Sequence, residues 1–420
     1  MQILGGVAAV SPALQTVYCL RTVRIAFLRP RLGIGGSERL VVDAGLELTA
    51  RGHTVAFFVP DAHETRQLDA VADGRLDVRA AGAFLPRAVG NRLRAPAAIA
   101  RAAYAACAMA LRGRDWDVVV CDVVAHVVPL VRRLTGAPVV YYCHFPDLLL
   151  TPRRRALYGL YRWPLDRLEE RGLRAADRVI VNSRFTASVV RRTFPRLAGR
   201  HLDVIPPGVD LEAEAAGGAD DGAAAGEPTI LSVSRFDAGK DLGLAIDALA
   251  RVRALLPAAD FAAVRLVLAG HYDQRLAEQR TVMEGLRARA LRHGLDRHVA
   301  FVISPSDRER RALLARCRCV VYTPAAEHFG IVPLEAMAAA RPVIAADGGG
   351  PTETIVDGAT GFLRPPTAEA FGDALAEMLS HPDRARRMGE AGRERVRLHF
   401  SRRVFGDRLE ALLQDVVSGG

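Results

Sequence analysis

Two glutamates stand eight positions apart in "TPAAEHFGIVPLEAMAAARPVIAADGGGPTE", at Glu327 and Glu335. An apolar run ends at Tyr322, a loop carries Glu327, and Pro333 suits the first turn of a helix bearing Glu335. Carboxylates so placed can each accept hydroxyl hydrogen bonds, one set from a sugar and one from a ribose. At the helix start the backbone amides of Phe329, Gly330, Ile331 and Val332 can cap phosphate. Chance pairs of glutamates are common, but not in this strand, loop and helix setting. In "SVSRFDAGKDLGLAIDAL", Arg235 ends a strand and Lys240 precedes an amphipathic helix. Two cations at the carboxyl end of a strand suit a diphosphate leaving group, Arg as a planar fork and Lys as a compact charge. A solvated loop is the plainer account of that pair taken alone. The third motif, "RLGIGGSERL", sets Gly33, Gly35 and Gly36 between a strand and a helix. Glycines there let backbone N–H groups approach phosphate. A plain tight turn is the alternative. A dinucleotide fold fits poorly, because the spacing is not G-x-G-x-x-G and no ribose-binding acid follows in place.

The elements that must hold these residues are legible as alternating strands and helices. "VRIAFLRP", "TVAFFV", "DVVVCD", "PVVYYCH", "DRVIVNS" and "LDVIPPGVD" are short apolar runs separated by helical periods. That pattern predicts a parallel α/β sheet covered on both faces. Residues 211–228, "LEAEAAGGADDGAAAGEP", are small, acidic and aperiodic, and read as a linker or surface loop. Alternation restarts with "TILSVSR", "VRLVLAG", "HVAFVI", "CVVYTP" and "PVIAAD". The expected organisation is an extension over 1–22, a Rossmann-like domain over 23–210, the linker, a second Rossmann-like domain over 229–398, and a closing helix over 399–420. Helical spacing of Phe405, Leu409, Leu412 and Leu413 marks that last helix.

The 420-residue length fits two domains. Lys and Arg number 57 against 47 Asp and Glu, a net charge of +10. This surplus favours anionic partners, although a genome that writes Arg and Ala freely would produce it too. No nucleic-acid module appears and the arginines gather in no tail. Six cysteines make no disulfide framework, and Cys317 with Cys319 has no second pair at zinc spacing. No metal site is expected. Met1 to Leu20 carry no charge, but polar residues and Gly dilute the run, so a loose extension fits better than a short anchor.

The segment "EHFGIVPLEA" resembles the double-glutamate motif of family 4 glycosyltransferases. Together with "LGIGGSERLV", "VVVCD", "YYCHFPDLLLT", "VNSRFTA" and "AGHYD", it is similar to the dolichol-pathway mannosyltransferases of that family, from about Val23 to about Phe405. The resemblance implies a GT-B fold, two facing Rossmann-like domains with a cleft between them. It implies transfer of mannose from GDP-mannose to a polyprenyl or dolichyl diphosphate-linked oligosaccharide, with α-1,3 or α-1,6 linkage and retention, without a cofactor or divalent metal. Gly35 and Gly36 would then approach the donor diphosphate, and Arg235 and Lys240 would neutralise it. Glu327 would touch the donor sugar and Glu335 the ribose. His144 of "YYCHFPD" would lie beside sugar and acceptor, and Asp147 would contact the acceptor. Another nucleotide sugar, a bacterial lipid or polysaccharide acceptor, an epimerase and a non-catalytic binder are the competing readings.

A lipid-linked acceptor calls for peripheral membrane contact, at the cytoplasmic face of a membrane if the protein is not simply cytoplasmic. Two stretches have the composition. Residues 85–114 set Arg87, Arg92, Arg94, Arg101, Arg112 and Arg114 around "APAAIARAAYAACAMAL". Residues 151–174 set Arg153 to Arg155 beside Leu157, Tyr158, Leu160, Tyr161 and Trp163. Basic and aromatic residues together suit an interfacial helix. An amphipathic helix packed on the sheet would look the same.

Overall fold

A computed structural model describes residues 22–32, 36–61, 71, 73–88, 94–113, 115–150, 156–216 and 228–419. Two parallel sheets organise it. The first has seven strands in the order β3-β2-β1-β4-β5-β6-β7: β1 (Arg24–Leu28), β2 (Thr54–Val59), β3 (Asp77–Ala80), β4 (Val118–Asp122), β5 (Val139–Cys143), β6 (Arg178–Val181) and β7 (Asp203–Val204). The second has six in the order β10-β9-β8-β11-β12-β13: β8 (Thr229–Val233), β9 (Arg265–Gly270), β10 (Val299–Ile303), β11 (Cys319–Tyr322), β12 (Val343–Ala346) and β13 (Gly361–Arg364). Strands β4 and β5, "VVVCD" and "VVYYC", are buried along their whole length, as strands covered on both faces must be. Side chains alternate between two cores. Ala26 and Leu28 of β1 enter one cluster, Ile25 and Phe27 the other. Both sheets switch direction of winding, at β1/β4 and at β8/β11, and ligands of such sheets bind at the carboxyl ends beside the switch.

The final helix, Arg402–Ser418, packs on the first sheet. Phe405, Leu409, Leu412, Leu413 and Val416 complete the cluster around Ile25 and Phe27. Burying such side chains is worth roughly 1.5–3 kcal/mol each. Arg402 joins the two halves of the chain by donating to Glu47 at 2.8 Å and to Asp210 at 2.8 Å.

Two expectations change. The stretch 211–228 is not linker throughout, because Leu211–Ala216 form a helix. Its Glu214 is buried and accepts from Arg310 Nη2 at 2.8 Å. The composition conceals this, since the group that satisfies Glu214 lies 96 positions further on. The apolar run of residues 95–111 turns most of its apolar side chains inward. Ala97, Ala102, Ala105, Ala106, Met109 and Ala110 of helix Arg94–Leu111 are buried against the sheet, leaving Tyr104 and Leu111 exposed. Among the described residues no helix is long and apolar enough to cross a membrane.

Candidate active site

The C-terminal half of the site is built at the ends of β8, β11 and β12. Glu327 follows β11, and its Oε2 lies 2.5 Å from Lys240 Nζ and accepts the Tyr322 hydroxyl at 2.7 Å. Burial pushes this carboxyl up, but the charge and hydrogen bonds of Lys240 and the Tyr322 hydroxyl outweigh it, so it sits below the usual range. Lys240 is itself placed by its own carbonyl, which accepts the buried Thr323 hydroxyl at 2.6 Å. Arg235 lies on the solvent side of the same loop, 3.1 Å from Asp237. Gly330, at φ 78°, turns the chain into helix Ile331–Ala338, where a side chain would be strained. Glu335 is buried in that helix, 3.1 Å from Arg310 and 3.5 Å from Arg39 of the other domain. Burial raises its pKa, Arg310 opposes the rise, and Glu214 adds to it. Glycines after β12 press on the Glu327 loop. A Cβ at Gly349 would come within 2.1 Å of the Glu327 carbonyl, and the Gly350 amide donates to that carbonyl at 2.8 Å.

The N-terminal half centres on Asp122, the last residue of β4. Its Oδ2 accepts Arg29 Nη1 at 2.6 Å and lies 3.2 Å from His144 Nε2, so one carboxylate ties together the ends of β1, β4 and β5. Arg29 is almost wholly buried. Its remaining donors go to the carbonyls of Arg31 and Ser37, at 2.5 and 3.0 Å, and to the Ser37 hydroxyl at 3.0 Å. These bonds tie Arg31 and Ser37, at the start of helix Gly36–Ala50, to the end of β1. Val123, next to Asp122, has φ 65°, an outlier for a β-branched residue and of a kind that gathers at functional sites. The His144 carbonyl accepts Asn182 Nδ2 at 3.2 Å. Asp147 opens a short helix, Asp147–Leu150, and its carboxylate accepts from the buried Arg162 at 2.6 Å. Glu169 accepts the backbone N–H groups of Asp147 and Leu148 at 2.7 and 3.2 Å.

The halves meet across the cleft. The Phe145 and His328 rings stack at 3.5 Å with 12° between planes, beside His144 and Glu327 respectively. The Ser183 hydroxyl donates to the His328 carbonyl at 2.8 Å, and Glu353 accepts the amides of Arg184 and Phe185 at 2.9 and 2.8 Å. Comparison with known proteins agrees with this two-part construction. Residues 34–213 match the model of Glycosyltransferase Family 4, and residues 219–395 that of Glycosyl transferases group 1. The alpha-1,3/1,6-mannosyltransferase ALG2 of Mus musculus is 41% identical over 395 residues, 92% of this chain and 94% of its own. The Saccharomyces cerevisiae protein of that name is 33% identical over 431 residues, 94% of this chain and 85% of its own. The chain belongs to the family 4 glycosyltransferases, among the alpha-1,3/1,6-mannosyltransferases. Sucrose-phosphate synthase from Thermosynechococcus elongatus has the same fold, with a TM-score of 0.76 at 23% identity, covering 94% of this chain and 100% of that one. So does HepE of Anabaena in complex with UDP, with a TM-score of 0.70 at 21% identity over the same shares.

In this transferase the residues singled out from sequence are not all joined. Lys240 and Glu327 touch. Phe329, Gly330, Ile331 and Val332 form the turn into the helix that carries Glu335, and Phe329 is buried. Gly36 begins its helix, while Gly35 lies outside the described residues. Arg235 and Lys240 share a loop but not a partner, since Arg235 pairs with Asp237. His144 and Asp147 are separated by their partners, Asp122 for one and Arg162 for the other. Sequence reasoning missed Arg29, Asp122, Arg39, Ser183, His328, Arg310 and Glu353. The quoted runs "VVVCD", "VNSRFTA" and "GGGPTE" contain Asp122, Ser183 and Glu353, all at element ends. That placement was the available signal.

Proposed function

We propose that this glycosyltransferase moves mannose from GDP-mannose onto an oligosaccharide carried by a polyprenyl or dolichyl diphosphate, in α-1,3 and/or α-1,6 linkage and with retention. The reading rests above all on the Lys240–Glu327 contact at the donor end of the cleft, opposite His144 on its Asp122 support. The names of the relatives supply the mannose and the linkages. The donor diphosphate is met by the amides that begin helix Ile331–Ala338 and by Gly35 and Gly36, with Lys240 and Arg235 meeting its charge. Glu327 receives the hydroxyls of the sugar. Glu335, held by Arg310 and Arg39, receives those of the ribose.

The acceptor hydroxyl attacks the anomeric carbon on the face from which the diphosphate departs. A new carbon–oxygen bond forms as the anomeric carbon–phosphate oxygen bond breaks. The hydroxyl proton passes to the departing phosphate oxygen, giving GDP and the extended lipid-linked glycan. Charge grows on the leaving group, so the cations and amides around it carry most of the acceleration. No side chain acts as nucleophile, unlike the paired carboxylates of retaining glycosidases. The chain works at the cytoplasmic face of a membrane, where exposed Leu149, Leu150, Leu160 and Trp163 meet the lipid surface. A panel of radiolabelled nucleotide sugars with a polyprenyl diphosphate-linked acceptor tests the proposal. Label from GDP-mannose should enter the lipid-linked product, and linkage analysis should find α-mannose. Turnover confined to a UDP-sugar would overturn the mannose assignment.

A further inference from the structure

Glu335 shares its buried position with charges brought from three other helices: Leu211–Ala216, which lies between the two sheets in the chain, Asp307–Arg316, and Gly36–Ala50 of the N-terminal domain. The short helix Leu211–Ala216 packs on both Asp307–Arg316 and Ile331–Ala338. Its Glu214 side chain is 0% exposed, and that of Glu335 is 8% exposed. Arg310 stands between the two carboxylates. Its Nη2 donates to one Glu214 oxygen at 2.8 Å and its Nη1 to the other at 3.3 Å, so the guanidinium fork closes on Glu214. The same Nη1 lies 3.1 Å from Glu335 Oε2, and Arg39 Nη1 lies 3.5 Å from Glu335 Oε1.

This division decides what Glu335 can still bind. A carboxylate offers about four acceptor positions, and a guanidinium fork seated squarely on it would fill two of them. Two neighbouring ribose hydroxyls need those positions. They also need the carboxylate ionised, because a protonated one gives an acceptor position to its own proton. A desolvated carboxylate keeps its charge only beside a cation. Glu335 therefore needs a guanidinium close by that does not close on it. Arg310 meets that need only because Glu214 holds its fork. Buried ion pairs add little net stability over apolar packing of the same volume, so joining the helices does not by itself call for charges here.

We infer that Glu214 and Arg310 are positioning residues for the donor's ribose. Glu214 holds the Arg310 fork off Glu335, and Arg310 gives Glu335 a countercharge without covering the oxygens that the ribose hydroxyls need. The inference rests on the ribose-binding role of Glu335 proposed above. It makes a helix in the acidic stretch between the sheets a determinant of ribonucleotide affinity, through a carboxylate that touches no substrate.

Calorimetry with GDP and with its dideoxyribose analogue, which lacks both ribose hydroxyls, tests this. The parent should prefer GDP about tenfold or more, on the scale of two hydrogen bonds to a charged group. In Glu214→Gln the fork is released toward Glu335. The preference should then fall to about a third of the parent's or less, with affinity for the analogue close to the parent's. Should that variant fail to fold, Glu214→Asp is the milder change and should lower the preference in the same direction. Arg311 Nε also lies 3.6 Å from Glu214, and Arg311→Gln loosens that carboxylate without removing the fork, so it should keep the parent's preference. Equal weakening of GDP and analogue in Glu214→Gln would reduce the cluster to structural support and overturn the inference. A preference lost as fully in Arg311→Gln would overturn it too. Glu335→Gln separates the two layers and should itself lower the preference. If it does and Glu214→Gln does not, the positioning role falls while the ribose assignment stands. If Glu335→Gln keeps the parent's preference, the ribose assignment fails and the inference with it.

Discussion

Lys240 and Glu327 are tied by more than proximity. The carboxylate takes both the ammonium and the Tyr322 hydroxyl on one oxygen, in a buried position where an unpaired charge would be costly. Replacing Lys240 by Met removes a cation from the leaving-group region and strands a buried carboxylate. Turnover should fall ~100-fold or more, the scale of one lost charge contact in the transition state. The stability effect has a definite sign. The folded pKa of Glu327 is lowered, so the pair stabilises the protein above the ordinary carboxyl pKa and loses that contribution as pH falls through the folded value. Melting curves of parent and Lys240→Met should therefore differ most near neutrality and converge toward acid pH. A constant difference would mean that the pair holds no pH-linked stability. Glu327 and Lys240 were legible because each sits in a local motif with strong punctuation. Asp122 and Arg29 were not. Their pairing follows from β1 lying beside β4, and that adjacency skips two intervening strands in the chain.

At the scale of elements, the helix Arg184–Thr193 has caps from two domains. Ser183 accepts the Thr186 amide at 2.9 Å from within its own domain, and Glu353 reaches over from the other to the first two amides of the helix. A carboxylate at a helix N-terminus is worth ~0.3–1 kcal/mol when exposed and up to ~2 kcal/mol when partly buried. This capping energy is spent on holding the domains together. Glu353→Gln should loosen this contact between the domains and raise donor KM several-fold, about one kcal/mol in affinity terms. Small-angle scattering should show a larger radius for the variant at equal donor concentration. An unchanged radius and KM would reduce Glu353 to a local cap. The support of the short helix Asp147–Leu150 makes a pH-linked prediction. Burial, with the nearby charge of Asp147, raises Glu169 to about 7 against its two backbone donors, and burial raises Asp43 to about 6. Carboxyls with raised pKa favour the folded state below the unfolded value and lose that contribution as pH rises through the folded one. The melting temperature should fall between pH 5 and pH 8. Glu169→Gln should flatten the fall in part, since Asp43 titrates in the same direction. Full retention of the slope would remove Glu169 from its cause. The helices and strands themselves were readable from apolar periodicity. Helix Leu211–Ala216 was not, because the Arg310 that pairs with its Glu214 and the core that receives its Leu211 are brought to it by the fold and not marked by local periodicity.

For the molecule as a whole, the function proposed above puts donor chemistry in the C-terminal domain and the acceptor side in the N-terminal one. On that proposal, a lipid-carried acceptor brings the N-terminal domain to a membrane. Exposed apolar side chains gather on one part of that domain, Leu149 and Leu150 on the short helix and Leu160 and Trp163 on helix Ala156–Ala175. The Arg167 guanidinium lies 4.1 Å from the Trp163 ring centroid. An aromatic ring with a cation beside it, in a chain of net charge +10, suits an anionic headgroup layer. Of the stretch 151–174, Leu160 and Trp163 are exposed and Arg153 to Arg155 lie outside the described residues, whereas most of the apolar run of 95–111 went to the core. Leu150→Asp with Leu160→Asp should lower co-sedimentation with vesicles of neutral and anionic lipid by about tenfold or more, given ~1.5 kcal/mol or more for each leucine buried. Raising the salt should weaken the parent's binding, through screening of the headgroup attraction. Trp163 gives an internal readout, because the chain has two tryptophans and Trp116 packs against the first core. Its emission should shift to the blue when the parent meets vesicles, and shift little in the variant. Turnover on a water-soluble acceptor should stay at the parent's level, because neither leucine touches Asp122, His144, Lys240 or Glu327. Vesicle binding equal to the parent's would move the membrane contact to another face of the domain.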